Sequence, residues 1–294
     1  MSATITSQSR ARDFAALVKP SITLLSVFTM LAGLWLAPGS IDWMGMTLAV
    51  IGTALVVAAA NALNCYIERD SDKFMARTSK RPLPAGRMVP KTALIFGLAL
   101  AVTSVPVLVV GVNAVTGLLA AIALVSYVWV YTPMKQLSPW ALWVGAVPGA
   151  MPPLLGWTAV RGQVEWPGLV LFGIMFIWQL PHFIAISMYR DSEYQRAGIR
   201  TVTAVHGWSS SIRQIFFWTA VLVPFSLLLV PLNITGTIYM ASAGVLGFIF
   251  VVKAMQGFRA KDASLWARSL FLYSLVYLTL LFAAVAVDVL IARG

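Results

Sequence analysis

The sequence predicts an all-α fold, a polytopic bundle of membrane-spanning helices, and two observations carry that prediction. Hydrophobic residues make up 60% of the 294 residues and charged residues only 11%, whereas a soluble domain carries about 25% charge. The hydrophobic residues are also gathered in runs of about 17–25 residues, the length that an α-helix needs to cross a bilayer. The sequence does not show the ten-residue alternation of a membrane β-barrel, so helices are expected throughout.

We expect about nine transmembrane helices, one for each apolar run. Residues 1–19 are predicted to form a cytoplasmic N-terminal tail, and residues 20–294 a single transmembrane domain. The runs are 20–38, 43–67, 92–111, 115–132, 139–159, 167–188, 214–231, 236–255 and 266–290.

The positions of Lys and Arg predict the orientation in the membrane. All except Arg161 and Arg293 lie in the tail, in loops 68–91, 133–138, 189–213 and 256–265, or on the run ends that these loops join. By the positive-inside rule these segments are cytoplasmic, and the C-terminus lies on the other side. The net charge of +11 therefore reflects topology and does not indicate nucleic-acid binding. The single cysteine, Cys65, excludes an internal disulfide.

The most informative polar residues follow the second run. Asn61, Asn64, Glu68 and Asp72 are three or four positions apart, so on a continuous helix they would share one stripe. Carboxylates near hydrocarbon are expensive unless a cation offsets them, and oxygen ligands of this kind suit Mg²⁺ together with substrate phosphates. A hydrated helix end is the simpler alternative. The pattern favours a magnesium and diphosphate site at the membrane surface.

Basic residues accompany this stripe. Arg77 and Arg81 follow it in the same loop, and Lys135 comes from the short connection after the fourth run. Each of these residues could act only as a positive charge that fixes the orientation in the membrane and contacts anionic lipid. Arginine nevertheless binds phosphate oxygens through a planar fork, which makes Arg77 and Arg81 candidates for phosphate binding. Lys135 could reach a phosphate from the neighbouring helix pair.

The sixth run supplies a second group of candidates. His182 lies within the apolar run, where an ionisable group is functional by default, although such a histidine can also serve only to join two helices. Asp191 and Glu193 follow the run and are two positions apart, so they would not share a helical face; we expect them on an irregular turn.

Several motifs resemble the UbiA superfamily of intramembrane prenyltransferases, and in particular its haem-modifying branch. They are Asn64-x₃-Glu68-x₃-Asp72 followed by Arg77-Thr and Arg81-Pro-Leu, then Tyr131-Thr-Pro-Met-Lys135, Pro148-Gly-Ala-Met-Pro-Pro, and Trp178-Gln-Leu-Pro-His182. Together they cover residues 20–207 in order. Two departures stand out: Cys65 occupies the place of the first Asp of the superfamily motif, and the second acidic motif is reduced to Asp191 and Glu193.

The resemblance implies a central cavity open to the cytoplasmic side and a magnesium-dependent reaction. Farnesyl diphosphate would lose diphosphate, and a vinyl group of haem B would capture the farnesyl group to give haem O. Asn64, Glu68 and Asp72 would hold Mg²⁺. Lys135 would complete the catalytic set and, with Arg77 and either Arg81 or Arg200, hold the phosphates. His182 would face the haem, as an axial ligand of the iron or as a polar contact. Asn61, Asp191 and Glu193 would also belong to the substrate-binding residues.

Two other functions fit parts of the sequence. A sister enzyme that prenylates an aromatic acid for quinone synthesis fits the first motif equally well. A membrane transporter would need charges near the middle of its spans, whereas here the acidic residues gather at one membrane face. The expected location is a bacterial inner membrane with a periplasmic C-terminus. The expected partners are the lipid bilayer and, among proteins, haem-biosynthesis or oxidase-assembly factors.

Overall fold

The structure is a computed structural model that describes the backbone of residues 7–293 and the side chains of residues 10–291. This part of the chain consists of helices joined by turns and loops and contains no β-strand, which confirms the all-α prediction. The helices are α1 Ser7–Val18, α2 Pro20–Leu36, α3 Trp43–Ile67, α4 Pro90–Gly111, α5 Ala114–Val125, α6 Thr132–Met134, α7 Ala141–Arg161, α8 Trp166–Tyr189, α9 Asp191–Arg196, α10 Val202–Ser226, α11 Thr237–Gln256 and α12 Ala263–Arg293.

Seven segments of the described chain are long and apolar enough to cross a membrane, and an eighth is added if α1 and α2, bent by 45°, count as one span. The protein is therefore an integral membrane protein. The predicted count of nine is not confirmed, because α7 fails this test. Thirteen of its 21 residues are buried and it contains Pro148, Pro152 and Pro153. A helix enclosed by other helices does not need a lipid-soluble surface, which explains its lower hydropathy.

Close backbone contact between α2 and α7 forms one side of the bundle. A Cβ atom on Gly33 would overlap the carbonyl oxygen of Pro153, and one on Gly156 would overlap that of Met30. Small residues allow helices to approach this closely within a membrane. The most buried long helix is α8, which packs against α7, α10 and α12. The bundle thus places α2, α7, α8 and α12 around a shared interior.

A polar cluster joins the loops at the C-terminal end of α7. The Arg161 guanidinium donates to both carboxylate oxygens of Glu165, at 3.0 Å each, and to the carbonyl oxygen of Pro38 at 3.2 Å. The Trp157 indole N–H donates to Glu165 Oε2 at 2.8 Å. These hydrogen bonds hold the loop between α2 and α3 against the start of α8.

Two local predictions need correction. The acidic stripe is not on one continuous helix, because α3 ends at Ile67 and Asp72 lies in a 3₁₀ turn over Ser71–Phe74. Asp191 and Glu193 do not lie on an irregular turn; they belong to the short helix α9. In both places a polar segment follows a long apolar helix, and helix propensity decides only weakly where such a helix ends.

Candidate active site

A cavity of about 450 Å³ opens between α2, the end of α3, α7, α8 and α12. Charged and amide side chains gather where α3 ends, whereas aliphatic and aromatic side chains line most of the remaining wall. The apolar part of the wall includes Leu25, Leu142, Met175, Phe183, Phe271 and Leu275. A cavity of this kind can hold a molecule with one anionic end and a large apolar remainder.

Eight of the eleven predicted site residues line this cavity: Asn64, Glu68, Asp72, Arg77, Arg81, Lys135, His182 and Arg200. The acidic residues stay aligned beyond the end of α3 because backbone hydrogen bonds between residues four positions apart continue there. The Glu68 N–H donates to the Asn64 carbonyl at 2.9 Å, and the Asp72 N–H to the Glu68 carbonyl at 2.8 Å. Both carboxylates therefore reach the same cavity although only Asn64 lies within the helix.

Glu68 forms an ion pair with Lys135 across the cavity wall. The distance between Lys135 Nζ and Glu68 Oε1 is 2.6 Å, and both side chains are largely buried. Burial alone would raise the pKa of Glu68, but the charge and hydrogen bond of Lys135 outweigh it, so this pKa lies below its ordinary value. Glu68 is thus an anion at neutral pH and can serve as a metal ligand.

Asp72 is the most enclosed carboxylate of the site, with no exposed surface. Its Oδ2 atom accepts from the Arg81 guanidinium at 2.6 Å, and its backbone carbonyl accepts from the Thr78 hydroxyl at 2.8 Å. Its Oδ1 atom is buried and has no hydrogen-bond partner among the described residues. Buried carboxylate oxygens are nearly always paired, so this atom is suited to a cation that arrives with the substrate.

Lys19 is a site residue that the sequence analysis treated only as part of the cytoplasmic tail. It lies directly before α2 and has a left-handed backbone, with φ 48° and ψ 72°, which is uncommon outside glycine. Its Nζ donates to Asn64 Oδ1 at 2.8 Å, and the Asn64 amide donates to the Thr132 hydroxyl at 3.3 Å. Burial lowers the pKa of Lys19 to about 8. In the sequence, the only feature that could have pointed to Lys19 was the Lys-Pro pair at the start of the first apolar run.

Two exposed arginines complete the polar wall, the part of the cavity lined by charged and amide side chains: Lys19, Asn64, Glu68, Asp72, Arg81 and Lys135. Arg77 and Arg200 line the cavity and their side chains remain accessible. The Arg200 backbone N–H donates to the Lys135 carbonyl at 2.9 Å, so the segment before α10 is attached to the connection after α6. Because neither guanidinium has a hydrogen-bond partner among the described residues, both are available to phosphate oxygens.

His182 lies on the apolar part of the wall and is 8% exposed. Its Nδ1 atom is 2.7 Å from the Ser274 hydroxyl of α12. The ring centroids of Trp178 and Phe271 both lie 4.7 Å from that of the imidazole. The imidazole is therefore held by aromatic neighbours and one hydrogen bond rather than by a charged group.

Three predicted residues do not line the cavity. Asn61 donates to the Val18 carbonyl at 3.4 Å and so joins α3 to α1. Asp191 accepts from Gln195 at 2.8 Å, and Glu193 accepts from Arg190 at 3.2 Å. The side chain that reaches the cavity from α9 is Tyr194. The second acidic segment therefore presents a phenol rather than a carboxylate to the site.

The oxygen donors at the end of α3 suit Mg²⁺, which water and substrate phosphates also ligate. They suit a metal ion that is ligated by protein side chains alone less well. Within the part of the chain that the structure describes, no cluster of three or more His, Cys, Asp or Glu side chains could enclose a metal ion. Glu68, Asp72 and the Asn64 amide offer oxygen atoms only. Mg²⁺ commonly binds one or two carboxylates and completes its shell with water and substrate phosphates, which is the donor set available here.

The helix bundle and the site define an intramembrane protein with a mixed acidic and basic centre at one end of an apolar cavity. The sequence profile of the UbiA prenyltransferase family matches residues 26–276. The chain belongs to the UbiA prenyltransferase family.

Relatives from two bacteria resemble the chain over nearly its whole length. The protoheme IX farnesyltransferase of Sorangium cellulosum is 49% identical over 276 residues, covering 89% of this chain and 99% of its own. The protoheme IX farnesyltransferase of Anaeromyxobacter dehalogenans is 50% identical over 273 residues, covering 93% of this chain and 92% of its own.

Solved structures share the fold at low sequence identity. A structure described as digeranylgeranylglyceryl phosphate synthase gives a TM-score of 0.81 at 16% identity, covering 95% of this chain and 98% of that one. A UbiA homolog from Archaeoglobus fulgidus bound to GPP and Mg²⁺ gives 0.67 at 15% identity, covering 93% and 99%. At this identity the likeness establishes the fold alone.

Proposed function

We propose that this protein transfers the farnesyl group of farnesyl diphosphate to a vinyl group of haem B, giving haem O and diphosphate. The observation that carries the proposal is the cavity itself, in which two carboxylates and a set of cations adjoin a large apolar wall. The bacterial relatives at about half identity bear the name of this activity, and the chain matches them across the cavity-forming helices.

The polar wall is suited to binding the diphosphate. Asn64, Glu68 and Asp72 would hold Mg²⁺, which would offset negative charge on the phosphates and on the leaving diphosphate. Lys135 and Arg81 already lie beside those carboxylates, at 2.6 Å in each pair. With Mg²⁺ held by the carboxylates, these two cations would be available to donate to phosphate oxygens.

The chemistry follows from that arrangement. The bond between farnesyl C1 and the diphosphate oxygen breaks and its electron pair leaves with diphosphate, whose charge fixed donors stabilise as it develops. The vinyl π electrons of haem B form the new bond to C1. Water then adds to the resulting cation and releases a proton, which leaves a hydroxyethylfarnesyl group. The apolar wall shields the farnesyl cation from premature capture by water.

The test is to incubate the purified protein with haem B and radiolabelled farnesyl diphosphate, with and without Mg²⁺. We expect labelled haem O only when magnesium is present. Label transferred to an aromatic acid such as 4-hydroxybenzoate, with none on haem, would favour the quinone-synthesis alternative. Binding of these substrates without formation of any prenylated product would contradict the enzyme proposal and favour transport.

We further propose a bacterial inner-membrane location with a cytoplasmic N-terminus, a periplasmic C-terminus and a site that opens to the cytoplasm. The basic residues of the polar wall support this orientation, since basic segments remain cytoplasmic. An alkaline phosphatase fused after residue 294 should be active, because that enzyme matures only in the periplasm. A C-terminal fluorescent protein that folds only in the cytoplasm should stay dark.

A further inference from the structure

We propose that Ser274 is a positioning residue that fixes one tautomer of His182, so that Nε2 of His182 carries a free lone pair for the iron of haem B. The inference rests on the proposed function, in which haem B occupies the apolar part of the cavity. It adds a residue of α12, a helix whose sequence offered no motif.

The direction of two hydrogen bonds determines the tautomer. The Ser274 hydroxyl lies 2.6 Å from the carbonyl oxygen of Phe271, and a carbonyl oxygen can only accept. The single hydroxyl proton of Ser274 is therefore committed to Phe271. His182 Nδ1 lies 2.7 Å from the same hydroxyl oxygen, so Nδ1 must supply the proton for that contact.

It follows that Nε2 of His182 is the unprotonated nitrogen. Nε2 has no hydrogen-bond partner in the described part of the chain, and it is not among the fully enclosed polar atoms without partners. Since His182 lines the cavity, the free lone pair is accessible from there. A neutral imidazole with one N–H engaged by a second residue is the form that binds metal ions, and the second residue fixes the ring orientation.

A further contact keeps Ser274 in register with His182. The Trp178 indole N–H donates to the Ser274 carbonyl at 2.8 Å. Trp178 and His182 are one helical turn apart on α8, so both bind the same residue of α12. The Trp178 ring also stacks on the imidazole, with 26° between the ring planes. Rotation of the imidazole away from the cavity would break the hydrogen bond and the stacking together.

The experiment compares the binding of haem B with that of metal-free protoporphyrin IX. Ser274→Ala should weaken haem B binding about tenfold, the usual lower bound for losing a partner of a metal-bound histidine, and shift the Soret band. His182→Ala should cause a larger loss, and adding imidazole should restore part of the wild-type spectrum. Binding of protoporphyrin IX, which has no iron, should be unchanged in both variants.

Ser104→Ala is the matched control. Like Ser274, Ser104 is fully buried and donates to the carbonyl three residues earlier, here at 3.1 Å, but it makes no hydrogen bond to a histidine. It should bind both porphyrins as the wild type does. The double variant of Ser274 and His182 should match His182→Ala alone, since the two residues act through one bond.

The outcomes separate this inference from the proposed function. An equal loss of haem B and protoporphyrin IX binding in Ser274→Ala would mean that Ser274 only shapes the cavity, and would overturn the inference. An unchanged haem B affinity and spectrum in Ser274→Ala, when the wild-type enzyme makes haem O, would overturn it as well. If the wild-type protein makes no haem O, the proposed function fails, whatever the spectra show.

Discussion

Lys135 Nζ lies 2.6 Å from Glu68 Oε1, and the two residues are separated by 67 positions in the chain. The pair joins the end of α3 to the connection between α6 and α7. The Lys135 ammonium also lies 4.3 Å from the centre of the Tyr131 ring, a distance at which a cation and an aromatic face attract each other. The cation is therefore held in place before any substrate arrives.

Removing the Lys135 charge should impair catalysis more than folding. We expect Lys135→Met to lower kcat about 100-fold, because a fixed donor to the developing charge is lost. Steady-state farnesyl transfer checks this. Lys73→Met is the control, since Lys73 is exposed and pairs with Asp70 at 2.8 Å outside the cavity. Comparable losses in the two variants would contradict a specific role for Lys135.

Asp72 should be the carboxylate on which magnesium dependence relies most. Asp72→Asn preserves shape but leaves a neutral amide beside Arg81, so we expect kcat to fall by about 10²–10³ and the magnesium concentration for half-maximal activity to rise. A magnesium titration of activity measures both. Asp70→Asn, two positions away and well exposed, should retain wild-type values. An unchanged magnesium requirement in Asp72→Asn would exclude Asp72 as a metal ligand.

The sequence predicted the helices and most of the polar wall because both depend on local patterns. Apolar runs of bilayer length located the helices, and four-residue spacing located Asn64, Glu68 and Asp72. The partners of these residues depend on tertiary packing, which spacing does not report. Arg77 and Arg81 were both candidates for phosphate binding, yet only Arg81 forms an ion pair with Asp72, whereas Arg77 stays exposed. Ser274 was missed for the same reason, since its role exists only where α12 meets α8.

Lys19 should contribute to diphosphate binding. Its ammonium is buried beside Asn64 and near Arg81 and Lys135, an arrangement of cations that favours an anionic ligand. We expect Lys19→Met to raise the KM for farnesyl diphosphate about tenfold, with a smaller change in kcat, as for loss of uniform binding. Initial rates at varied substrate concentration separate the two constants. Arg12→Met, which changes an exposed residue of α1, is the control and should behave as the wild type.

Asp191 should matter much less than Asp72, because it lies outside the cavity and bonds to Gln195. We expect Asp191→Asn to retain activity within about threefold of the wild type, whereas Tyr194→Phe, which alters the side chain facing the cavity, should lose more. Activity of the two variants under identical conditions decides this. A loss in Asp191→Asn as large as in Asp72→Asn would mean that the second acidic segment reaches the substrate by a movement of α9.

Glu165 should make stability depend on pH at the end of the bundle opposite the site. Hydrogen bonds from Arg161, Gln163 and Trp157 lower the pKa of Glu165 to about 2, although partial burial opposes them. A carboxyl with a depressed folded-state pKa stabilises the fold above its unfolded pKa of about 4.3. That contribution is lost as pH falls toward 2. We expect Glu165→Gln to melt a few degrees below the wild type at pH 7 and at nearly the same temperature near pH 2.5.

Thermal unfolding in detergent across this pH range measures the effect without relying on activity. The double variant, with Glu165→Gln and Arg161→Gln, should show nearly the same pH dependence of the melting temperature as Glu165→Gln alone. The ion pair is already lost when Glu165 is replaced. A difference in melting temperature that stays constant from pH 7 to pH 2.5 would contradict the linkage. It would instead assign the loss to altered packing around Trp157, whose indole N–H donates to the same carboxylate.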